Sequence, residues 1–153
     1  DWRQIIAKSD EYLLRIDPPG EGNKMSAFVK PGGNWEPRAS AFVPKKETWT
    51  HFAAVYDSKS GGSELKVYVD GVASGQSARP GKIAKTTNPV EFGRWGGGSY
   101  FVGIIDEVAI FNAALEESYI SSTMTTGLSK LLSGAAVNTK GKIATTWGNI
   151  KFE

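Results

Sequence analysis

The sequence predicts an all-β fold, a two-sheet antiparallel sandwich with one short helix. Short apolar runs, in which apolar and polar residues alternate, recur along the chain between turn residues. This spacing is typical of a sandwich and argues against parallel βαβ units. The 18 glycines and seven prolines supply the turns that such a chain needs. A length of 153 residues is enough for one domain with a buried core.

The clearest element is a hairpin within residues 49–71, WTHFAAVYDSKSGGSELKVYVDG. Residues 52–56 and 65–69 are two apolar runs separated by a polar loop. The second run ends at Asp70 and Gly71, a strong two-residue turn signal because both residues tolerate positive φ. A third strand is therefore expected over about residues 72–78.

Further strands are expected on both sides of this hairpin. Alternation predicts them at residues 3–8, 11–17, 25–29, 38–43, 90–93 and 100–111. Residues 115–124 predict the one helix, with Glu116 and Glu117 suited to its positive end and with Leu115, Tyr119 and Ile120 pointing inward. Trp49, directly before a strand, is expected in the core.

Three motifs, in this order along the chain, resemble the laminin G-like domain of the concanavalin A-like lectin/glucanase superfamily. They are Trp-x-His-x-Ala-x-Val-Tyr-Asp from Trp49, Tyr-Val-Asp-Gly from Tyr68, and Gly-Ile-Ile-Asp-Glu-Val-Ala-Ile-Phe-Asn-Ala-Ala-Leu from Gly103. The resemblance covers roughly residues 2–127 and implies a concanavalin A-like jelly roll. It also implies strands before Asp1, so part of one sheet is expected to be missing. That superfamily hosts lectins, adhesion modules, glycosidases and lyases on one sandwich.

The chain divides into a predicted sandwich, residues 1–127, and a basic tail, residues 128–153. The last 26 residues carry a net charge of +3 and the rest −1, so the body lacks the basic stripe that nucleic-acid binding requires. No apolar run approaches the length of a membrane span. In the tail, Ile143, Thr145 and Trp147 alternate with Lys142, Ala144 and Thr146. Either the tail adds strands to an open sheet edge, in its own chain or in a strand-exchanged copy, or it links the sandwich to a neighbouring domain.

Catalytic and metal chemistry find little support in the sequence. The chain has no cysteine, and His51 is the single histidine, so a histidine-based zinc site lacks ligands. A Ser-His-Asp triad would have to use His51, which is expected to pack within the sheet, and no nucleophile-elbow sequence is present. Asp106 and Glu107 are adjacent, and strand alternation would send them to opposite faces instead of toward one substrate. Asp106 is expected to be a structural residue. The alternative is a structural calcium ligand, since calcium prefers carboxylate and carbonyl oxygens, and no other cofactor is expected.

Loop aromatics supply the candidate binding site. Trp35 and Trp95 lie in glycine-rich loops, where the rings either stack on sugars or fold down as plugs over the sandwich edges. The predicted carbohydrate-binding residues are Asn34, Trp35, Arg38, Arg94, Trp95 and Tyr100. The sequence thus predicts a non-catalytic module, secreted, extracellular or at the cell surface, that binds glycan or an extracellular protein. The alternative is a structural or assembly domain with no small ligand.

Overall fold

The computed structural model describes residues 2–130, which form two antiparallel sheets and a helix. The elements are β1 (Arg3–Lys8), β2 (Tyr12–Ile16), β3 (Met25–Val29), β4 (Ala39–Ser40), β5 (Phe52–Tyr56), β6 (Leu65–Val69), β7 (Val72–Ser77), β8 (Val90–Phe92) and α1 (Glu117–Thr126). A five-stranded sheet has the order β4-β3-β2-β1-β8, and a three-stranded sheet has the order β5-β6-β7. The predicted two-sheet antiparallel sandwich is confirmed.

The main core lies between the two sheets. Met25, Ala27 and Val29 of β3 pack there with Leu65, Val67 and Val69 of β6. These residues alternate along their strands, so each strand gives one face to the core. Burial of one valine, leucine or methionine side chain in this core stabilises the folded domain by about 1.5–3 kcal/mol.

The predicted turn between β6 and β7 is confirmed. Asp70 and Gly71 have φ of 50° and 78°, the two positive values that a type I′ turn requires. Helix α1 packs onto this turn, because the Ser121 hydroxyl donates a hydrogen bond of 2.9 Å to the Gly71 carbonyl. A Cβ at Gly71 would lie 3.0 Å from the Ser121 Oγ, so this glycine serves both the turn and the close approach of the helix.

The two sheets meet closely at Gly75 of β7. A Cβ at this position would lie 2.1 Å from the backbone oxygen of Ser40 in β4. A side chain therefore has no room there, and the glycine permits β7 to approach the β4 backbone.

The predicted strand over residues 100–111 is wrong. No strand forms there in the described structure, and Asp106 and Glu107 are exposed, with Glu107 at a φ of 48°. The alternation argument that placed these two carboxylates on opposite faces therefore does not apply. A strand needs a hydrogen-bonding neighbour as well as a suitable sequence. Within residues 2–130 the one backbone–backbone hydrogen bond of this segment is that from the Phe101 N–H to the Gly93 carbonyl, at 2.9 Å.

Three smaller predictions also need correction. Trp49 is 68% exposed and not in the core, since it precedes β5 and has no place in its alternation. The predicted strand at 38–43 is shortened to β4, although Ala41 continues the pairing with an N–H···O bond of 2.8 Å to Met25. Helix α1 lies two residues later than predicted, with Ile120 buried, Leu115 half-buried and Tyr119 exposed.

The proposed roles of the tail after Lys130 lie outside the described residues and remain predictions, as does the division at residue 127. Within residues 2–130, no helix combines the length and the apolar character needed to cross a membrane.

Candidate functional site

The outer face of the five-stranded sheet is turned away from the other sheet. Polar side chains would be expected on this face, but it carries apolar ones. Leu13 of β2 stands opposite Ala7 of β1 and opposite Phe28 of β3. Opposite residues share one face of a sheet, so these three side chains lie together. Leu13 and Phe28 are each only 3% exposed, which means that other parts of the chain cover them.

Trp35 and Trp95 provide that cover. Both half-buried rings pack on Ala7, Leu13 and Phe28. They contact each other edge to face, with ring centroids 6.2 Å apart and planes at 79°, a favoured geometry for aromatic pairs. Two loops that are far apart in sequence are thus joined over the outer face.

Beside the two rings lies a cavity of about 330 Å³, here called the aromatic cavity. Its lining is formed by Trp2, Leu13, Arg15, Glu21, Phe28, Trp35, Glu36, Arg38 and Trp95. Aromatic walls, arginine donors and carboxylate acceptors thus converge on one space. Small-ligand sites commonly have this composition, with volumes of about 300–1,000 Å³.

A network of charged groups holds the cavity's polar side chains in place. The buried Asp17 carboxylate accepts hydrogen bonds of 2.7 Å from Arg15 Nε and 2.6 Å from the Ser26 hydroxyl. Glu21 accepts one of 2.6 Å from Arg15 Nη2 and another from Arg38 Nη1. The alternating charges fix both guanidinium groups, which reduces the ordering that a ligand would have to impose.

The same contacts set the protonation of the network. The hydrogen bond from Arg38 holds the pKa of Glu21 below its ordinary value, against the opposing effect of burial. Burial would lower the pKa of Arg38, but the bond to Glu21 and the charge of Asp17 raise it. Both groups therefore stay charged near neutral pH.

The arginines also stack on aromatic rings. The Cζ of Arg15 lies 4.4 Å from the centroid of the Phe28 ring and 5.5 Å from that of Trp2. The Cζ of Arg38 lies 5.4 Å from the Phe28 centroid. Cation–π contact of this kind adds to the rigidity of the cavity floor.

Buried Arg79 supports the loop that carries Trp35. Its guanidinium donates to three backbone carbonyls, those of Val29, at 2.8 Å, of Asn34 and of Glu36. Burial lowers the pKa of Arg79. One side chain from the end of the three-stranded sheet thereby fixes the position of one cavity wall.

Glu91 of β8 supports the loop that carries Trp95. Its carboxylate accepts hydrogen bonds of 3.0 Å from the Gly96 N–H and 2.8 Å from Arg94 Nε. The Gly96 N–H is the main cause of a lowered pKa for Glu91. A charged acceptor on the sheet thus holds the second wall.

The structure brings together three of the predicted site residues, Trp35, Arg38 and Trp95. Asn34 uses its backbone carbonyl to bind Arg79, and exposed Arg94 pairs with Glu91. Tyr100 lies elsewhere, in a second depression with Arg3, Pro19, Ser99 and Val102.

The predicted site lacked six residues of the lining: Trp2, Leu13, Arg15, Glu21, Phe28 and Glu36. Alternation was the available signal for two of them, because it places Arg15 and Phe28 on the face opposite the core-facing positions of their strands. An apolar Phe on a face that also bears Leu13 indicates that something covers that face.

Neither His51 nor Asp106 belongs to the aromatic cavity. His51 lies just before β5 and is half-buried, and burial lowers the pKa of its imidazole. The Asp106 carboxylate accepts a 2.8 Å bond from the adjacent Glu107 N–H. Among residues 2–130, no three histidine, aspartate or glutamate side chains are grouped so that they could hold a metal ion. Calcium binding at Asp106 therefore remains a prediction. The described residues do not form a group of acidic ligands around it.

The two antiparallel sheets form a β-sandwich of the concanavalin A-like kind, a domain that suggests a lectin-like or adhesion module. The chain belongs to the concanavalin A-like lectin/glucanases superfamily, in which a laminin G family model matches residues 1–121. This confirms the resemblance drawn from the three motifs. Laminin G-like domains are generally non-catalytic, although the superfamily also includes glycosidases. Searches of curated proteins and of solved structures found no match to the chain.

Proposed function

We propose that this domain is a non-catalytic recognition module that binds a glycan in the aromatic cavity. The observation that carries the proposal is the convergence of the Trp35 and Trp95 rings with fixed charged groups on one space of about 330 Å³. A sugar ring presents apolar C–H faces and hydroxyl edges. Tryptophan rings can stack on the faces, while guanidinium and carboxylate groups hydrogen-bond to the hydroxyls.

The expected affinity is weak. Stacking one or two rings on a solvated sugar replaces contacts with water as it forms new ones, so dissociation constants from micromolar to millimolar, about −8 to −4 kcal/mol, are expected. Because Arg15 and Arg38 are already held by Asp17 and Glu21, little side-chain ordering is left for binding to impose.

The state of the cavity's carboxylates supports a role without catalysis. A general acid in glycoside hydrolysis needs a raised pKa, whereas the pKa of Glu21 is lowered by Arg38. Asp17 is buried under its hydrogen bonds from Arg15 and Ser26. Exposed Asp106 and Glu107 are not among the cavity residues. We therefore expect no turnover of any polysaccharide.

The proposed setting is extracellular or at the cell surface, where laminin G-like domains are commonly found. A second candidate function is protein–protein adhesion or assembly without a small ligand. The exposed apolar side chains of residues 100–111 favour it.

A glycan array followed by calorimetry tests the glycan proposal. The double variant Trp35→Ala/Trp95→Ala should lower the affinity for any bound glycan by about tenfold or more, since both stacking surfaces are lost. Trp49→Ala is the matched control, because Trp49 is exposed and lies outside the cavity. Glycan binding that survives the double variant would place the site elsewhere, and an array without any bound glycan would favour adhesion.

Loss of the two rings also uncovers Leu13 and Phe28, so a milder variant separates binding from folding. Glu36→Gln changes an exposed carboxylate at the cavity and should leave the melting temperature unchanged. Weaker glycan binding at unchanged stability would support the site; unchanged affinity in both Glu36→Gln and Arg38→Gln would count against it.

A further inference from the structure

Residues 102–110 expose an unusual amount of apolar surface. Val102 and Ile104 are 87% and 76% exposed, and Val108 and Ile110 are 45% and 55% exposed. All four are β-branched and lie at even-numbered positions, so one strand face would hold all of them. On that face Asp106 would lie between Ile104 and Val108, and these five positions are here called the apolar stripe. Exposed apolar surface of this extent is typical of a surface that binds something.

The backbone of this segment is also unpaired. Among residues 2–130, no backbone–backbone hydrogen bond involves residues 102–115. Val and Ile favour strands, so the segment has the composition of a strand and lacks a neighbouring one. Unpaired N–H and C=O groups beside an apolar stripe form a template for strand addition.

The remainder of the chain starts next to this template. Helix α1 ends at Thr126, and a Cβ at the following Gly127 would lie 3.5 Å from Glu107 Oε1. The chain thus leaves the helix beside the middle of residues 102–110. The 11 residues between Lys130 and Lys142 can span about 40 Å when extended, which is ample for a return to this segment.

Charge and pattern favour one occupant from the rest of the chain. The template carries Asp106 and Glu107, and Glu116 and Glu117 follow near it, all exposed. Residues 142–147, Lys-Ile-Ala-Thr-Thr-Trp, lie outside the described residues and belong to a stretch with lysines at positions 140, 142 and 151. Their alternation places Ile143, Thr145 and Trp147 on one strand face.

We propose that residues 102–110 are an acceptor strand for residues 142–147 of the same chain. The added strand pairs its backbone with the template, covers the stripe from Val102 to Ile110 and places lysines near the acidic groups. The surface is thereby closed within one chain, and a second copy is not needed.

Hydrogen exchange of the full chain, read by mass spectrometry, tests this pairing. Amides of residues 102–110 should exchange at least about tenfold more slowly than unpaired amides, because a formed ladder protects them. Ile143→Lys, on the docking face, should remove that protection. The matched variant Ala144→Lys, on the other face, should retain it to within about twofold.

Exchange within β6 shows whether each variant is folded, since this strand lies in the core. A second measurement, protection as a function of salt, should show weaker protection as ionic strength rises, because the lysine–carboxylate attraction is screened. Wild-type amides 102–110 that exchange as unpaired amides would overturn the proposal, as would equal protection in both variants. Protection that grows with protein concentration would also overturn it and assign the surface to a second copy.

Discussion

Replacing Arg79 with methionine isolates the contribution of one side chain to a cavity wall. Met preserves much of the apolar stem, but it removes the donors to the carbonyls of Val29, Asn34 and Glu36. Hydrogen bonds to a charged donor contribute about 1.5–3 kcal/mol each. Asn34 and Glu36 are exposed, so their carbonyls can return to water, whereas Val29 is 3% exposed and its carbonyl cannot.

The expected cost of Arg79→Met is therefore close to that of one unpaired buried carbonyl, about 1–3 kcal/mol. The middle of this range is about 2 kcal/mol. In a domain of this size, that loss lowers the melting temperature by about 4–8 °C.

Urea unfolding and near-ultraviolet circular dichroism measure the two effects of this change. The unfolding midpoint should fall, and the tryptophan signal should change because the Trp35 loop loses its anchor. Arg94→Met is the matched control: Arg94 is half-exposed with one carboxylate partner, so its loss should alter stability by no more than about 0.5 kcal/mol. If Arg79→Met unfolds at the wild-type midpoint with an unchanged near-ultraviolet spectrum, the supporting role assigned to Arg79 is wrong.

Two further predictions concern the sheets and the charged network. Gly75→Ala should destabilise the domain by about 3 kcal/mol in urea unfolding, because the new methyl group would meet the Ser40 carbonyl. The control is Gly98→Ala, where the added methyl group has open space around it. If the two variants are equally stable, the close approach of β7 to β4 is wrong. The pKa of Glu21 in the folded domain lies below the ordinary value of 4.5. Ionised Glu21 therefore stabilises the fold above pH 4.5, and this stabilisation is lost as the pH falls through the folded-state pKa. The stability gap between wild type and Glu21→Gln should therefore narrow as pH falls below about 4.5, and a gap that widens there would contradict the bond to Arg38.

The hairpin was predictable from the sequence because its signals are local. Two apolar runs on either side of a polar loop defined β5 and β6, and the Asp70–Gly71 turn fixed how β7 follows. Each of these signals acts between residues that are close in the chain, and packing in the core stabilises the same strands. The segment 100–111 carries an equally good pattern and failed as a strand, because pairing depends on a neighbour that the pattern cannot reveal.

The site was predictable only in part, for a related reason. Trp35 and Trp95 were recognisable as large apolar residues in glycine-rich loops. Their meeting over Phe28 depends on where β3 lies in the sheet, and the role of Arg79 depends on contacts across 43 to 50 residues of sequence. Contacts between residues that are far apart in the chain produce no periodic pattern in the sequence. The contacts by which Arg79 holds the Trp35 loop were therefore seen only in the structure.

The rings of Trp35 and Trp95 cover the outer face of the sheet and also line the aromatic cavity. A substitution at either position would therefore affect the stability of the domain and the proposed ligand binding together. Their replacement is penalised even where no ligand matters. For the proposed glycan site, specificity can vary instead at Glu36, an exposed cavity residue whose replacement leaves Leu13 and Phe28 covered. A library confined to exposed cavity positions of this kind should change the proposed glycan binding while the two tryptophan walls keep the sheet covered.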